Sequence, residues 1–92
     1  MKNQVVIITG ASSGIGKALA FEYGKKGANI VITGRNEKNL LEAEAELTEA
    51  GISTKAIVCD SASEEQTRAM VTKVVELYGR IDLLINNAGI SM

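Results

Sequence analysis

The sequence predicts an α/β domain built on a parallel sheet, and two observations carry that expectation. Apolar runs at 5–8, 29–33, 56–59 and 83–85 begin about 26 residues apart, the length of one strand-plus-helix unit with its turns. The first three are rich in β-branched residues and nearly continuous rather than alternating, as in strands covered on both faces. Between them lie three segments of helical periodicity, each closing at a glycine. The expected order is therefore β-α-β-α-β-α-β, and right-handed crossovers make the sheet parallel.

The first run, Val5-Val6-Ile7-Ile8, leads into Thr9-Gly10-Ala11-Ser12-Ser13-Gly14-Ile15-Gly16. Ile15, Leu19 and Tyr23 then recur at helical spacing, predicting a helix over about 14–26 that stops at Gly27. A strand that turns through glycines into a helix gathers backbone N–H groups and the positive end of the helix dipole at one point. That arrangement binds phosphate. The second helix follows Asn36, a good N-cap, and carries Leu40, Ala43, Leu47 and Ala50 on one face before Gly51. Its acidic face (Glu42, Glu44, Glu46, Glu49) reads as solvated. The third opens on a capping-box pattern from Ser63 to Gln66, shows Thr67, Met70, Val71, Val74 and Leu77 at helical spacing, and closes at Gly79.

Composition bounds the function. With 92 residues the chain makes one domain, 1–92, with a thin core, and no linker or charge block divides it. A net charge of −1 offers no footprint for nucleic acid or an acidic membrane surface. No apolar run nears the roughly 20 residues that span a bilayer, and residues 1–4 run into a strand without a signal-peptide core. One cysteine and no histidine leave neither a disulfide nor a zinc cluster, and remove the commonest general base. The expectation is a metal-free, cytoplasmic protein with no nucleic-acid or membrane partner.

Several glycine-loop chemistries are separable by spacing. A Walker A loop has four residues between its first glycine and Gly-Lys; here five separate Gly10 from Gly16-Lys17, and Ala18 replaces the magnesium-binding hydroxyl. The G-x-G-x-x-G fingerprint also fails, because the glycines stand as G-x-x-x-G-x-G. A phosphoacceptor receiver is excluded by Thr9-Gly10-Ala11, where acidic residues belong. Instead, Thr9-Gly10-x-x-x-Gly14-x-Gly16, with Asn86-Asn87-Ala88-Gly89 about 70 residues on and Asp60 ending the third strand, resembles the short-chain dehydrogenase/reductase family. The resemblance runs the length of the chain. It implies a Rossmann-type sheet of order 3-2-1-4, the first half of a doubly wound fold, and a dinucleotide cofactor.

The resemblance also assigns residues. Gly10 permits the tight turn, Gly14 lets backbone approach the pyrophosphate, and Gly16 lets the helix pack closely. Ser12 and Ser13 add donors to the phosphate cradle, a role compatible with capping the first helix. Ile15 lines the cavity beside the cofactor, or is core. The end of the second strand, Gly34-Arg35-Asn36, lacks the carboxylate of an NAD site. Arg35, with Asn36 beside it in the cofactor site and Ser12 across the loop, suits the 2′-phosphate of NADP, which is favoured over NAD; the alternative is a solvated surface arginine. Asp60, with Ser61 beside it, accepts from the adenine amino group, or else caps the third helix. Cys59 is most simply a small buried residue. Of the two asparagines one braces the sheet, and Asn87, with Ala88 and Gly89, is the better cofactor contact; otherwise it is a turn residue.

The family's chemistry also needs a serine and a Tyr-x-x-x-Lys pair. Tyr23 is followed four residues on by Gly27, and Tyr78 by Asp82, so neither tyrosine forms the pair and both read as packing residues. The resemblance thus implies the cofactor half of an oxidoreductase, inactive by itself, whose full-length parent acts on a small carbonyl or alcohol. Strand 4 is then an apolar edge open to self-association. The competing expectation is a stand-alone half-Rossmann nucleotide-binding module, pairing through strand 4 and without catalysis.

Overall fold

The computed structural model describes residues 3–11 and 14–87. Its elements are β1 (Val5–Thr9), α1 (Gly14–Lys25), β2 (Asn29–Gly34), α2 (Glu37–Glu49), β3 (Thr54–Val58), α3 (Glu64–Tyr78) and β4 (Leu83–Asn86). The strands form one parallel sheet in the expected order β3-β2-β1-β4. β1 and β2 lie in the middle, which is why their sequences run apolar without alternation. Val6, Ile8, Ile30 and Ile32 point to one face, where Ala20 of α1 and Leu40, Ala43 and Leu47 of α2 cover them. Val5, Ile7 and Val31 point to the other, under Met70 and Val74 of α3. Each fully buried Val, Leu, Ile or Met side chain among these contributes roughly 1.5–3 kcal/mol. Among the described residues no helix is long and apolar enough to cross a membrane.

α1 does not bury the face that its large residues suggest. Gly16, Ala20 and Gly24 are the buried positions, a stripe of small residues that lets the helix backbone approach its neighbours. A Cβ on Gly24 would run into the side chain of Ile52. Leu19 and Tyr23 pack on the flank, and Ile15 is 48% exposed. Periodicity weighs bulky residues and passes over contacts made by small ones.

α2 buries Leu40, Ala43 and Leu47 as expected, while Ala50 becomes the exposed C-cap. The Asn36 side chain caps the helix by accepting from Asn39 N at 3.0 Å. Its acidic face is not simply solvated. Glu46 pairs with Lys17 of α1, and Glu44 accepts from the backbone N–H of Ala56 at 2.7 Å. β3 is an edge strand, and because Cys59 N donates inward to Gly34 O, the alternating N–H groups at 54, 56 and 58 point outward. Glu44 occupies the middle one, which blunts the edge against strand addition. β3 also begins two residues earlier than its apolar run, since Thr54 and Lys55 lie at this half-open margin.

In α3 the cap is half of what the pattern suggests. Ser63 Oγ accepts from Gln66 N at 3.2 Å, but Gln66 Oε1 accepts from Asp60 N at 2.8 Å. The Ser63 N–H, the usual reciprocal partner, donates instead to Asp60 O. Met70 and Val74 are buried, whereas Leu77, expected on the same face, is 51% exposed. The α3 side of the sheet carries a single helix and leaves Leu84 of β4 exposed as well. Among the described residues β4 hydrogen-bonds β1 only, so it is the second edge of the sheet.

Candidate functional site

All strands being parallel, their carboxyl ends meet on one side of the sheet. Thr9, Thr33 and Asn86 stand level across β1, β2 and β4, with the β3 end beyond. α1 and α3 cover opposite faces, so the chain reverses its winding between β1 and β4. A crevice outside the strand ends at such a reversal is where open α/β sheets bind ligands.

The glycine loop leaves β1 at this point. Gly10 (φ 65°) and Gly14 (φ 63°) take left-handed backbone that side chains disfavour. Gly10 N and Ala11 N both donate to Thr33 O, at 2.9 and 3.3 Å, which folds the loop over the end of β2. Among the described residues nothing lies within 4 Å of a Cβ placed on Gly14. Gly16 is the reverse case. Its Cβ would lie 2.7 Å from both Asn87 Nδ2 and Gly10 O, so the close approach expected of it is to the loop and to the β4 turn.

Two hydrogen bonds tie that turn to the loop. Asn87 Nδ2 donates to Gly10 O at 3.0 Å, and the Thr9 hydroxyl donates to Asn86 Oδ1 at 3.0 Å. The sequence divides the asparagines into one brace and one ligand contact. In the structure both brace, Asn86 through the Thr9 hydroxyl and Asn87 through the Gly10 carbonyl. Ile15, half exposed in the first turn of α1, is not core.

At the end of β2, Arg35 is exposed and makes no ion pair or hydrogen bond among the described residues. The neighbouring Asn36 has its side-chain oxygen committed to capping α2. At the end of β3, Cys59 is buried against the α3 side of the core, as its size suggests. Asp60 does not cap α3, because Ser63 does. Its Oδ1 accepts from Ala62 N at 3.0 Å in an Asx turn, and its second oxygen has no donor among the described residues. Ser61 is exposed beside it. Ser12, Ser13, Ala88 and Gly89 lie outside the described residues.

Neither tyrosine belongs to this group. Tyr23 and Tyr78 pack against the two cores. Burial, and secondarily the Glu44 carboxylate, push the Tyr78 hydroxyl above its ordinary value. A tyrosine that trades protons with substrate needs the opposite shift. The sequence hides two structural participants, Gln66 and the bracing amide of Asn87. Only the position of Gln66 three residues after a capping serine hints at the first.

Comparison with known proteins agrees with this geometry. The family model described as short chain dehydrogenase matches residues 4–92. The chain is 38% identical over 87 residues to a 3beta-hydroxysteroid dehydrogenase of Mediterraneibacter gnavus, covering 95% of this chain and 32% of that protein. It is 43% identical over 88 residues to 11-beta-hydroxysteroid dehydrogenase A of Sesamum indicum, covering 95% and 25%. Among solved structures, a metagenomic short-chain oxidoreductase in complex with NADP superposes with a TM-score of 0.92 at 39% identity, covering 98% of this chain and 41% of that one. An actinorhodin polyketide ketoreductase with NADPH gives 0.89 at 40% identity, covering 91% and 32%. The chain spans about a third or less of the length of these curated relatives. A match that runs from the start of β1 through the Asn-Asn turn leaves one conclusion: the chain belongs to the short-chain dehydrogenase family.

Proposed function

We propose that this chain is the dinucleotide-binding part of a cytoplasmic short-chain oxidoreductase that prefers NADP to NAD. The observation that carries the reading is the loop of Gly10 and Gly14, anchored on Thr33 O and Asn87, with room beside Gly14 and an arginine at the next strand end that makes no ion pair among the described residues. The residues fit a dinucleotide. Backbone N–H groups of the loop and of the first turn of α1, with Ser12 and Ser13, suit the pyrophosphate. Arg35 makes no ion pair among the described residues and suits a 2′-phosphate, which Asp or Glu in its place would repel. Asp60, with Ser61, suits the adenine amino group. Ile15 suits the cofactor's apolar surface, and Asn87, Ala88 and Gly89 its nicotinamide-side ribose.

The bound cofactor supplies hydride chemistry at its nicotinamide ring. This chain's share is to hold and orient it. NADP and NADPH in the two superposed relatives support the preference. The relatives' names support a carbonyl or alcohol as substrate of the full-length protein. The 92 residues contain no Tyr-x-x-x-Lys, so by themselves they bind without turning over.

Arg35→Ala tests the preference. NADP affinity should fall roughly tenfold, the order of one charge-assisted contact, while NAD affinity stays within twofold. An unchanged NADP-to-NAD ratio in calorimetric titration would remove Arg35 from the site.

A further inference from the structure

We propose that Gln66 is a positioning residue for adenine recognition, acting through Asp60; this rests on the reading of Asp60 as acceptor of the adenine amino group. The turn after β3 is held by four hydrogen bonds, three of which close a circuit through Asp60, Gln66 and Ser63 while the fourth ties Ala62 to the Asp60 carboxylate. Gln66 Oε1 accepts from Asp60 N at 2.8 Å, and Asp60 O accepts from Ser63 N at 2.9 Å. Ser63 Oγ accepts from Gln66 N at 3.2 Å, and Asp60 Oδ1 accepts from Ala62 N at 3.0 Å.

The circuit fixes Asp60 from both sides of its Cα. Ala62 N–H sets the rotation of the carboxylate by taking one oxygen, which leaves the second as its remaining acceptor edge. Gln66 sets the backbone from which the carboxylate projects, and it does so from the first turn of α3, a rigid element whose Met70 and Val74 are anchored in the core. Asp60 N stands one residue beyond the last sheet hydrogen bond of β3, from Cys59 N to Gly34 O. Without Gln66, that N–H turns to water and the aspartate loses its link to the helix. An aspartate so held is pre-organised, and its contact with an amino group costs less ordering on binding.

The test uses the 92-residue chain with NADP and with the analogue that carries hypoxanthine in place of adenine, which lacks the amino donor. Gln66→Met keeps the side-chain length and removes the acceptor, at an exposed position where folding is not at risk. Ile30→Val shortens a buried side chain on the opposite face of the sheet, away from α3 and the turn, and controls for general destabilisation. The wild-type chain should prefer NADP over the analogue, and Asp60→Ala should abolish that preference. Gln66→Met should reduce it roughly three- to tenfold with affinity for the analogue unchanged, and Ile30→Val should retain it. Hydrogen exchange at the Asp60 amide should speed up in Gln66→Met beyond any change seen in Ile30→Val. A preference lost in Asp60→Ala but kept in Gln66→Met would overturn the role of Gln66. A wild-type chain that shows no preference would overturn the reading of Asp60 and the proposal with it.

Discussion

Gly16 shows how tightly the candidate site is drawn together at the scale of single residues. A Cβ there would stand 2.7 Å from the Gly10 carbonyl oxygen, a backbone atom that cannot swing aside. It would equally displace the Asn87 amide that bonds that oxygen. Gly16→Ala should therefore destabilise the chain by roughly 1–3 kcal/mol in denaturant unfolding, the usual cost of overpacking, despite alanine's better helix propensity. An Ala variant as stable as the wild type would mean that the loop has slack. The glycines were legible in the sequence because spacing and strand context narrow their chemistry. Asn87 was only half legible, since nothing in a linear string says that its amide reaches back 77 positions to the loop.

At the scale of elements, hydrophobic patterning located every strand and helix, and polar side chains explain where it fell short. α1 turns on small residues. β3 begins in polar residues because it is an edge, and Glu44, a surface acid by pattern, serves that edge. The join between α3 and β4 gives a further case. Asp82 N donates to Val5 O, Val5 N donates to Asp82 Oδ2 at 2.7 Å, and Arg80 Nη2 donates to Asp82 Oδ1 at 2.6 Å. One carboxylate thus aligns the starts of β1 and β4. The Arg80 hydrogen bond, then the Val5 N–H, hold its carboxyl below the ordinary range. A group depressed in this way adds stability above its unfolded value, near pH 4, and loses it as pH falls through the lowered folded value. Asp82→Asn should therefore be less stable than wild type in thermal melts at pH 7, and the gap should close as pH drops below about 4. A gap that is constant with pH would show that the charge of Asp82 has no part in the clamp.

The whole molecule is a sheet thickly covered on one face and thinly on the other. α1 and α2 share one face, while α3 alone serves the second and leaves Val75, Leu77 and Leu84 exposed. The order of strands was legible because the family resemblance fixes it. The thin face was not, because periodicity marks Leu77 as apolar but cannot tell whether anything packs on it. For function, what matters at this scale is convergence. Sheet order brings the loop after β1, Arg35 after β2, Asp60 after β3 and Asn87 after β4 to one side of the sheet. The most direct test of the account is titration of the chain with NADP, followed residue by residue through its amide NMR signals. Saturable shifts concentrated at Gly10, Gly14, Arg35, Asp60 and Asn87 are the predicted result. A folded chain whose signals do not move, or move only on the α3 face around Leu77 and Leu84, would contradict it.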